Sequence, residues 1–325
     1  MTDDKIRVSI GTAAVLGLVD YRLDVEPTTA YLMTYTEGSC LANCAFCAQA
    51  RESVTDKSQL SRVLWPIYDT VDVIDGLSKR KDDPIERICL QVIYYPGFQD
   101  DVLSILEAIK DRMDVPISLD VCPLKKDDLA RMKEAGVEKI GIPLDAATAE
   151  IFDEVKGEAT RGPYRWESHL EALREAKKVF GTGNVMSNLI IGLGETEEEA
   201  ARLIQDLMDM EIKAVLFAFT PLPFTKLSRR RQPPLESYRR MQVARHIITE
   251  EIGRYDDMEF DGEGKLTSFG DVDIRKVVGD GEPFKTTGCP GCNRPFYNER
   301  PSGPFYNYPR NLTPKELQRE MELLE

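Results

Sequence analysis

Cys40, Cys44 and Cys47 stand in the run Gly38-Ser-Cys-Leu-Ala-Asn-Cys-Ala-Phe-Cys-Ala-Gln49, a spacing of C-x3-C-x2-C. Three thiolates this close can hold three irons of a 4Fe-4S cube and leave the fourth iron open to a ligand that is not a side chain. A closed cluster only passes electrons, whereas an open iron can bind and activate a small molecule. The alternative is a structural zinc site. Zinc prefers a fourth side-chain ligand, and the only histidines, His169 and His246, lie far from the triad in sequence.

The triad, with Phe46 just before its third cysteine, resembles the signature of radical S-adenosylmethionine (SAM) enzymes. The resemblance implies that Cys40, Cys44 and Cys47 hold a catalytic 4Fe-4S cluster. Its open iron would chelate the amino and carboxylate groups of SAM and yield a 5′-deoxyadenosyl radical on reduction. It also implies an electron donor such as ferredoxin or flavodoxin. A second stretch, Asn188-Leu-Ile-Ile-Gly192-Leu-Gly194-Glu195, ends a predicted strand and enters a helix. It resembles the Ile-x-Gly-x-x-Glu turn that touches the adenosyl group in this family, which makes Phe46, Gly192 and Glu195 expected cofactor contacts. Asp145 and Asp120, at or near strand ends, can accept hydrogen bonds from ribose hydroxyls or bind substrate, or simply cap a helix or shape a turn. The carboxylate of SAM also needs a cation. Arg161 and Arg165 lie where related enzymes carry one.

Four more cysteines bear on the reaction class. Cys89 falls within the second predicted barrel strand and Cys122 at the end of the third. This layout resembles biotin synthase, in which cysteines on those strands help hold an auxiliary cluster that donates sulfur. Met186 stands where that family places a further ligand, so any auxiliary cluster here needs other thiols. Cys289 and Cys292 supply them in Thr-Thr-Gly-Cys-Pro-Gly-Cys-Asn-Arg-Pro. A second 4Fe-4S cluster on Cys89, Cys122, Cys289 and Cys292 is the expectation, against the plainer reading of Cys89 or Cys122 as a small core residue.

The whole chain resembles a component of the split, biotin synthase-like lipoyl synthase. That family implies a sulfurtransferase acting on unactivated carbons of an octanoyl chain, carried on a lipoyl carrier protein or peptide, together with a sister radical SAM subunit. Ser302 is placed to imitate the serine cluster ligand of ordinary lipoyl synthases, or to shape a turn. Two other outcomes stay open. One is a mutase, ring-forming enzyme or maturase resembling methylornithine synthase and the hydrogenase maturases, with a structural auxiliary cluster. The other is a non-catalytic iron-sulfur scaffold or electron carrier.

Around these residues, short apolar runs alternate with amphipathic stretches, the pattern of repeated βα units. Strands are expected over Ala30–Thr36, Arg87–Tyr94, Pro116–Val121, Lys139–Leu144, Val185–Ile191, Ala214–Phe219, either Met258–Phe260 or Leu266–Phe269, and Pro283–Thr286. Helices are expected over Asp101–Met113, Leu124–Ala135, Tyr164–Phe180, Thr196–Met210 and Pro233–Ile252. Eight strands would close an α/β barrel of the (βα)8 TIM type, with the triad following the first strand on the active, C-terminal face. Residues 1–28 are expected to form a helical segment, with Ile6 to Leu18 across the barrel floor. Residues 29–287 form the barrel, and residues 288–325 an ordered extension that contributes to the auxiliary cluster.

The 325 residues fit one barrel domain, and 42% hydrophobic content supports a well-buried core. No run of eighteen apolar residues and no secretory pattern occur, so a cytoplasmic protein without a membrane role is expected. Seven cysteines fit metal binding in a reducing compartment better than a disulfide framework. A net charge of -14 argues against a nucleic-acid surface. Arg229, Arg230 and Arg231 are the one compact basic run, read either as a solvated turn or as a docking site for an acidic partner.

Overall fold

The computed structural model describes residues 5–79 and 85–324. Twelve strands occur in it: β1 (Lys5–Val8), β2 (Thr29–Thr34), β3 (Gln59–Leu60), β4 (Val63–Leu64), β5 (Ile67–Asp69), β6 (Arg87–Gln91), β7 (Ile117–Asp120), β8 (Val137–Gly141), β9 (Val185–Ile191), β10 (Lys213–Ala218), β11 (Glu259–Phe260) and β12 (Leu266–Ser268). Eight form one sheet in the order β10-β9-β8-β7-β6-β2-β1-β5. From β2 to β10 the pairing is parallel, as βα repeats require. Most of their side chains are buried, with helices Phe98–Lys110, Lys126–Glu134, Trp166–Phe180, Glu197–Asp209 and Leu235–Thr249 between and after them. This is an α/β fold of the TIM type.

Six parallel strands arise where the sequence places them, and the other two of the eight differ. Met258–Phe260 and Leu266–Phe269 were alternatives for one barrel strand, yet β11 and β12 pair with each other in a separate hairpin. Pro283–Thr286 opens in a tight 3-10 turn (Glu282–Phe284), entered at Gly281 with φ 76°, and its end makes only an isolated parallel bridge, Lys285 to Tyr308, outside the sheet. The sheet reaches eight strands through β1 and β5, both antiparallel. Ile6–Leu18 is therefore not one helix. Ile6 and Val8 alternate inward around Arg7 with the period of a strand, and a short helix, Ile10–Val15, begins only after the Ser9 cap.

An open sheet leaves β10 with an unpaired edge, and side chains cover it. Arg245 Nε donates to Ala214 O (2.9 Å), Arg294 Nη2 to Leu216 O (3.5 Å) and Asn298 Nδ2 to Ala218 O (2.8 Å). Leu216 N donates to Thr287 Oγ1 (2.9 Å). Three of these four partners belong to residues 287–298, so the C-terminal segment stands in for the missing neighbour of β10. A final helix, Pro314–Glu322, is anchored by a buried pair in which Arg239 Nε meets Glu320 Oε2 at 2.7 Å.

Candidate functional site

Three connections, those after β6, β8 and β10, pin the turn bearing the triad over the C-terminal ends of the parallel strands. Leu41 N donates to Tyr94 O, Ala45 N to Val155 O, Leu227 N to Ala45 O, and Asn43 Nδ2 to Thr160 O. Lys57 Nζ holds the far side of the turn through Ala48 O (2.9 Å) and Ala50 O (2.8 Å). A loop fixed at so many points presents its thiols in one geometry. Cys40, Cys44 and Cys47 all line a cavity of about 510 Å³, with Phe46 beside them.

Burial pushes each thiol above its ordinary range, Cys47 to about 12, with Cys40 reinforcing the effect. A bare thiolate is disfavoured there, so a metal must replace each proton as it binds. Among the described residues no three His, Cys, Asp or Glu side chains converge on a point where one ion would sit. The corners of an iron-sulfur cube need no such convergence, and three soft sulfurs without a fourth side-chain ligand are the donor set that an open-iron cluster takes.

Asp145, at φ 68°, and Asp120 also line the cavity. Asp120 is half-buried, the loss of water around its carboxyl raises its pKa, and its Oδ2 accepts from Asn188 Nδ2 (3.2 Å) and Gln91 Nε2 (3.4 Å). Gly141 makes room for it, since a Cβ at that position would lie 2.2 Å from Asp120 Oδ1.

Arg161 and Arg165 do not reach the cavity. Arg161 faces solvent and pairs with Glu52 (2.8 Å), while Arg165 Nη1 donates to Gly162 O and Tyr164 O. A cation that does line the cavity beside the triad and Asp145, and that sequence reasoning missed, is Lys156; Arg22, Arg62, Arg294 and Arg300 line other parts of the wall. Lys156 Nζ lies 2.7 Å from Asp145 Oδ2 and 2.5 Å from Pro143 O, under the ring of Tyr164 at 5.3 Å. No sequence signal separates it from the charged residues around it.

The Gly192–Glu195 turn also stands apart, since none of its residues lines the cavity. Glu195 turns back on its own loop, accepting from Gly192 N and Leu193 N (2.9 Å). Gly192 (φ 109°) is required by packing, because a Cβ would meet Pro233 Cδ at 2.9 Å and Phe219 Cβ at 3.1 Å. The turn braces the strand end and the helix that follows.

The remaining cysteines divide differently from the expected foursome. Cys122 lines the main cavity; burial raises its thiol to about 12, and Cys40 adds to the rise. Cys89, Cys289 and Cys292 group on the other side of the cavity floor. Burial raises the Cys89 thiol, with Asp120, Cys289 and Cys292 adding to the effect. Cys89 is level with Ser118 in the β6–β7 register. Cys122 lies four residues further on, in the loop past the end of β7 at Asp120, and so nearer the C-terminal rim of the strands.

Two hydroxyls missed in the sequence serve the lower thiols. Tyr31 Oη accepts from Arg294 N (2.8 Å) and lies 3.3 Å from Cys292 Sγ. Ser118 Oγ accepts from Arg87 Nη1 (3.1 Å) and lies 3.0 Å from Cys289 Sγ. Met186 Sδ is 3.9 Å from Cys289 Sγ, so the position that departs from the biotin synthase pattern still faces this group. Ser302 lies in an exposed turn and is not among the cavity-lining residues. The hydroxyls were legible only through strand register, which places Tyr31, Cys89 and Ser118 side by side.

Residues 36–207 match the Radical SAM superfamily. The chain is 23% identical over 186 residues to the biotin synthase of Aquifex aeolicus, covering 56% of this chain and 52% of that protein. It is 26% identical to the biotin synthase of Clostridium acetobutylicum over 67% of this chain and 65% of the relative. The chain thus spans about half to two thirds of the length of these curated relatives. A crystal structure of methylornithine synthase superimposes with a TM-score of 0.53 at 13% identity, over 74% of this chain and 67% of that one. The FeFe-hydrogenase maturase of Carboxydothermus hydrogenoformans gives 0.51 at 18%, over 68% and 51%. These two likenesses concern the fold. The superfamily match takes in more than half of the sequence, including the triad and the cavity-lining Asp145 and Lys156, and on that basis the chain belongs to the radical SAM superfamily.

Proposed function

We propose that the protein inserts sulfur into an unactivated C–H bond, with an auxiliary iron-sulfur cluster as the sulfur source. The observation that carries this reading is the placement of two thiol groups on opposite sides of one cavity. Cys40, Cys44 and Cys47 form its roof. Cys89, Cys289 and Cys292 lie just under a floor that includes Tyr31, Gln91 and Asp120. Sulfur insertion needs the hydrogen-abstracting group and the sulfide to flank the same carbon, and a carrier or scaffold protein needs no such chamber.

When bound, the two clusters and SAM would supply the radical and the sulfide. The chain's own residues hold and orient. Lys156 is the cation placed to neutralise the SAM carboxylate, in the role first expected of Arg161 and Arg165. Asp145 keeps that lysine in position and has a second oxygen for a ribose hydroxyl. The O–H groups of Tyr31 and Ser118 donate to sulfur and tune the lower cluster.

For substrate, the lipoyl synthase resemblance favours an octanoyl chain on a carrier protein, with a sister radical SAM subunit. The walls Leu23, Leu60, Val63 and Phe296 support an aliphatic occupant. Single-turnover measurement of cluster sulfide tests the reaction class. Loss of sulfide from the lower cluster in step with 5′-deoxyadenosine formation is expected. An intact lower cluster after turnover would instead favour a mutase or maturase.

A further inference from the structure

The mouth of the chamber is built from three stretches far apart in sequence, and each brings the same two features. The N-terminal loop contributes Arg22 with Leu23 and Val25, the β3–β4 hairpin Arg62 with Leu60 and Val63, and the C-terminal segment Arg300 with Phe296. The three arginines line the cavity and are nevertheless exposed, which puts them at its opening, whereas the five apolar side chains are half-buried. Hydrogen bonds join the stretches. Asn293 Nδ2 donates to Glu26 O (2.8 Å) and its Oδ1 accepts from Thr28 N (3.1 Å), while Ser61 Oγ donates to Tyr297 O (2.8 Å). The rim is therefore one assembled edge.

Its charge is the reverse of the chain's. Against a net charge of -14, no carboxylate among the described residues pairs with Arg22, Arg62 or Arg300. Asp24 is the one exposed acid in the cavity lining. Asp120, Asp145 and Glu299 are buried or half-buried, and Asp145 is already held by Lys156. An apolar passage entered between unpaired arginines fits a ligand that is aliphatic inside and acidic at the opening. A free fatty acid brings a single carboxylate, whereas cations on three separate stretches can engage several at once.

We propose that the chamber takes an aliphatic chain attached to an acidic peptide segment, whose carboxylates beside the acylated residue pair with Arg22, Arg62 and Arg300. This rests on the aliphatic substrate proposed above and adds which acylated segments are accepted. Planar guanidinium forks can bind carboxylates through two bonds each. Exposed pairs are individually weak, so the rim discriminates through their sum.

The test is equilibrium binding to the reconstituted holoenzyme with SAM, which needs no turnover. Octanoyl-lysine peptides flanked by glutamates or by glutamines are compared with octanoate, at about 50 mM and about 500 mM salt. At low salt the glutamate peptide should bind about tenfold more tightly than the glutamine peptide. That gap should shrink at high salt and vanish in R22Q/R62Q/R300Q, while the glutamine peptide binds this variant as it binds wild type. Equal affinities of the two peptides for wild type overturn the proposal and leave sulfur insertion standing. So does a preference that survives in the variant, an equal loss of both peptides there, or octanoate binding as tightly as the glutamate peptide. Binding of neither peptide to wild type overturns both this proposal and the aliphatic substrate beneath it.

Discussion

Lys156 and Asp145 form a buried ion pair at 2.7 Å, with side chains 5% and 11% exposed, on the wall of the cavity that holds the triad. Removing one member would strand the other's charge in a dry site. Lys156→Ala should therefore weaken SAM binding by roughly tenfold or more, the worth of a charge-assisted hydrogen bond, while the iron content stays intact. Arg161→Ala should change SAM affinity little. Equilibrium binding of SAM to the reconstituted variants checks both.

Cys122 belongs with the roof and Cys89, Cys289 and Cys292 with the lower group. Cys122→Ala should keep the full iron content. Alanine at Cys89, Cys289 or Cys292 should remove roughly the iron of one 4Fe-4S centre and leave the SAM cluster's EPR signal in place. Iron and sulfide assays on the four variants decide the grouping.

How much of this was legible in sequence depends on how local each signal is. The triad is a local motif, and the parallel strands are short apolar runs that two buried faces dictate, so both could be read directly. β1 was not, because four residues with only two inward apolar side chains resemble a helix start as closely as a short strand. The thiol grouping needed the height of each residue in the barrel, which strand register sets: Cys89 pairs with Ser118, not with Cys122. Lys156 was hidden for another reason. Its entry to the cavity depends on where the short Ala149–Val155 helix ends, and no spacing rule marks that point.

Gly192→Ala separates a packing role from a ligand-contact role. The added Cβ would meet Pro233 and Phe219 at a backbone φ of 109°, so a destabilisation of about 1–3 kcal/mol is expected. SAM affinity of the folded fraction should stay at the wild-type value. Urea unfolding alongside SAM titration distinguishes the two roles.

Glu299 is buried at the cavity wall with Oε2 unpartnered, and burial raises its pKa to about 8. The native state therefore keeps the proton that the unfolded chain releases near pH 4.5, and stability should fall as pH rises from about 4.5 to about 8. Glu299→Gln should flatten that slope and stabilise the protein at pH 7.5 by about 1–2 kcal/mol. Thermal melts of both forms across this range measure the effect.

The most direct test of sulfur insertion between two thiol groups is product mass. The protein, reconstituted anaerobically with its clusters, is reduced in the presence of SAM and an octanoyl-lysine peptide, and 5′-deoxyadenosine and peptide mass are followed together. The account predicts deoxyadenosine together with a peptide that has gained sulfur, and loss of the sulfur-bearing product alone in Cys289→Ala. Sulfur gain undiminished in Cys289→Ala, or deoxyadenosine without sulfur gain when a sister radical SAM subunit is also supplied, would contradict it.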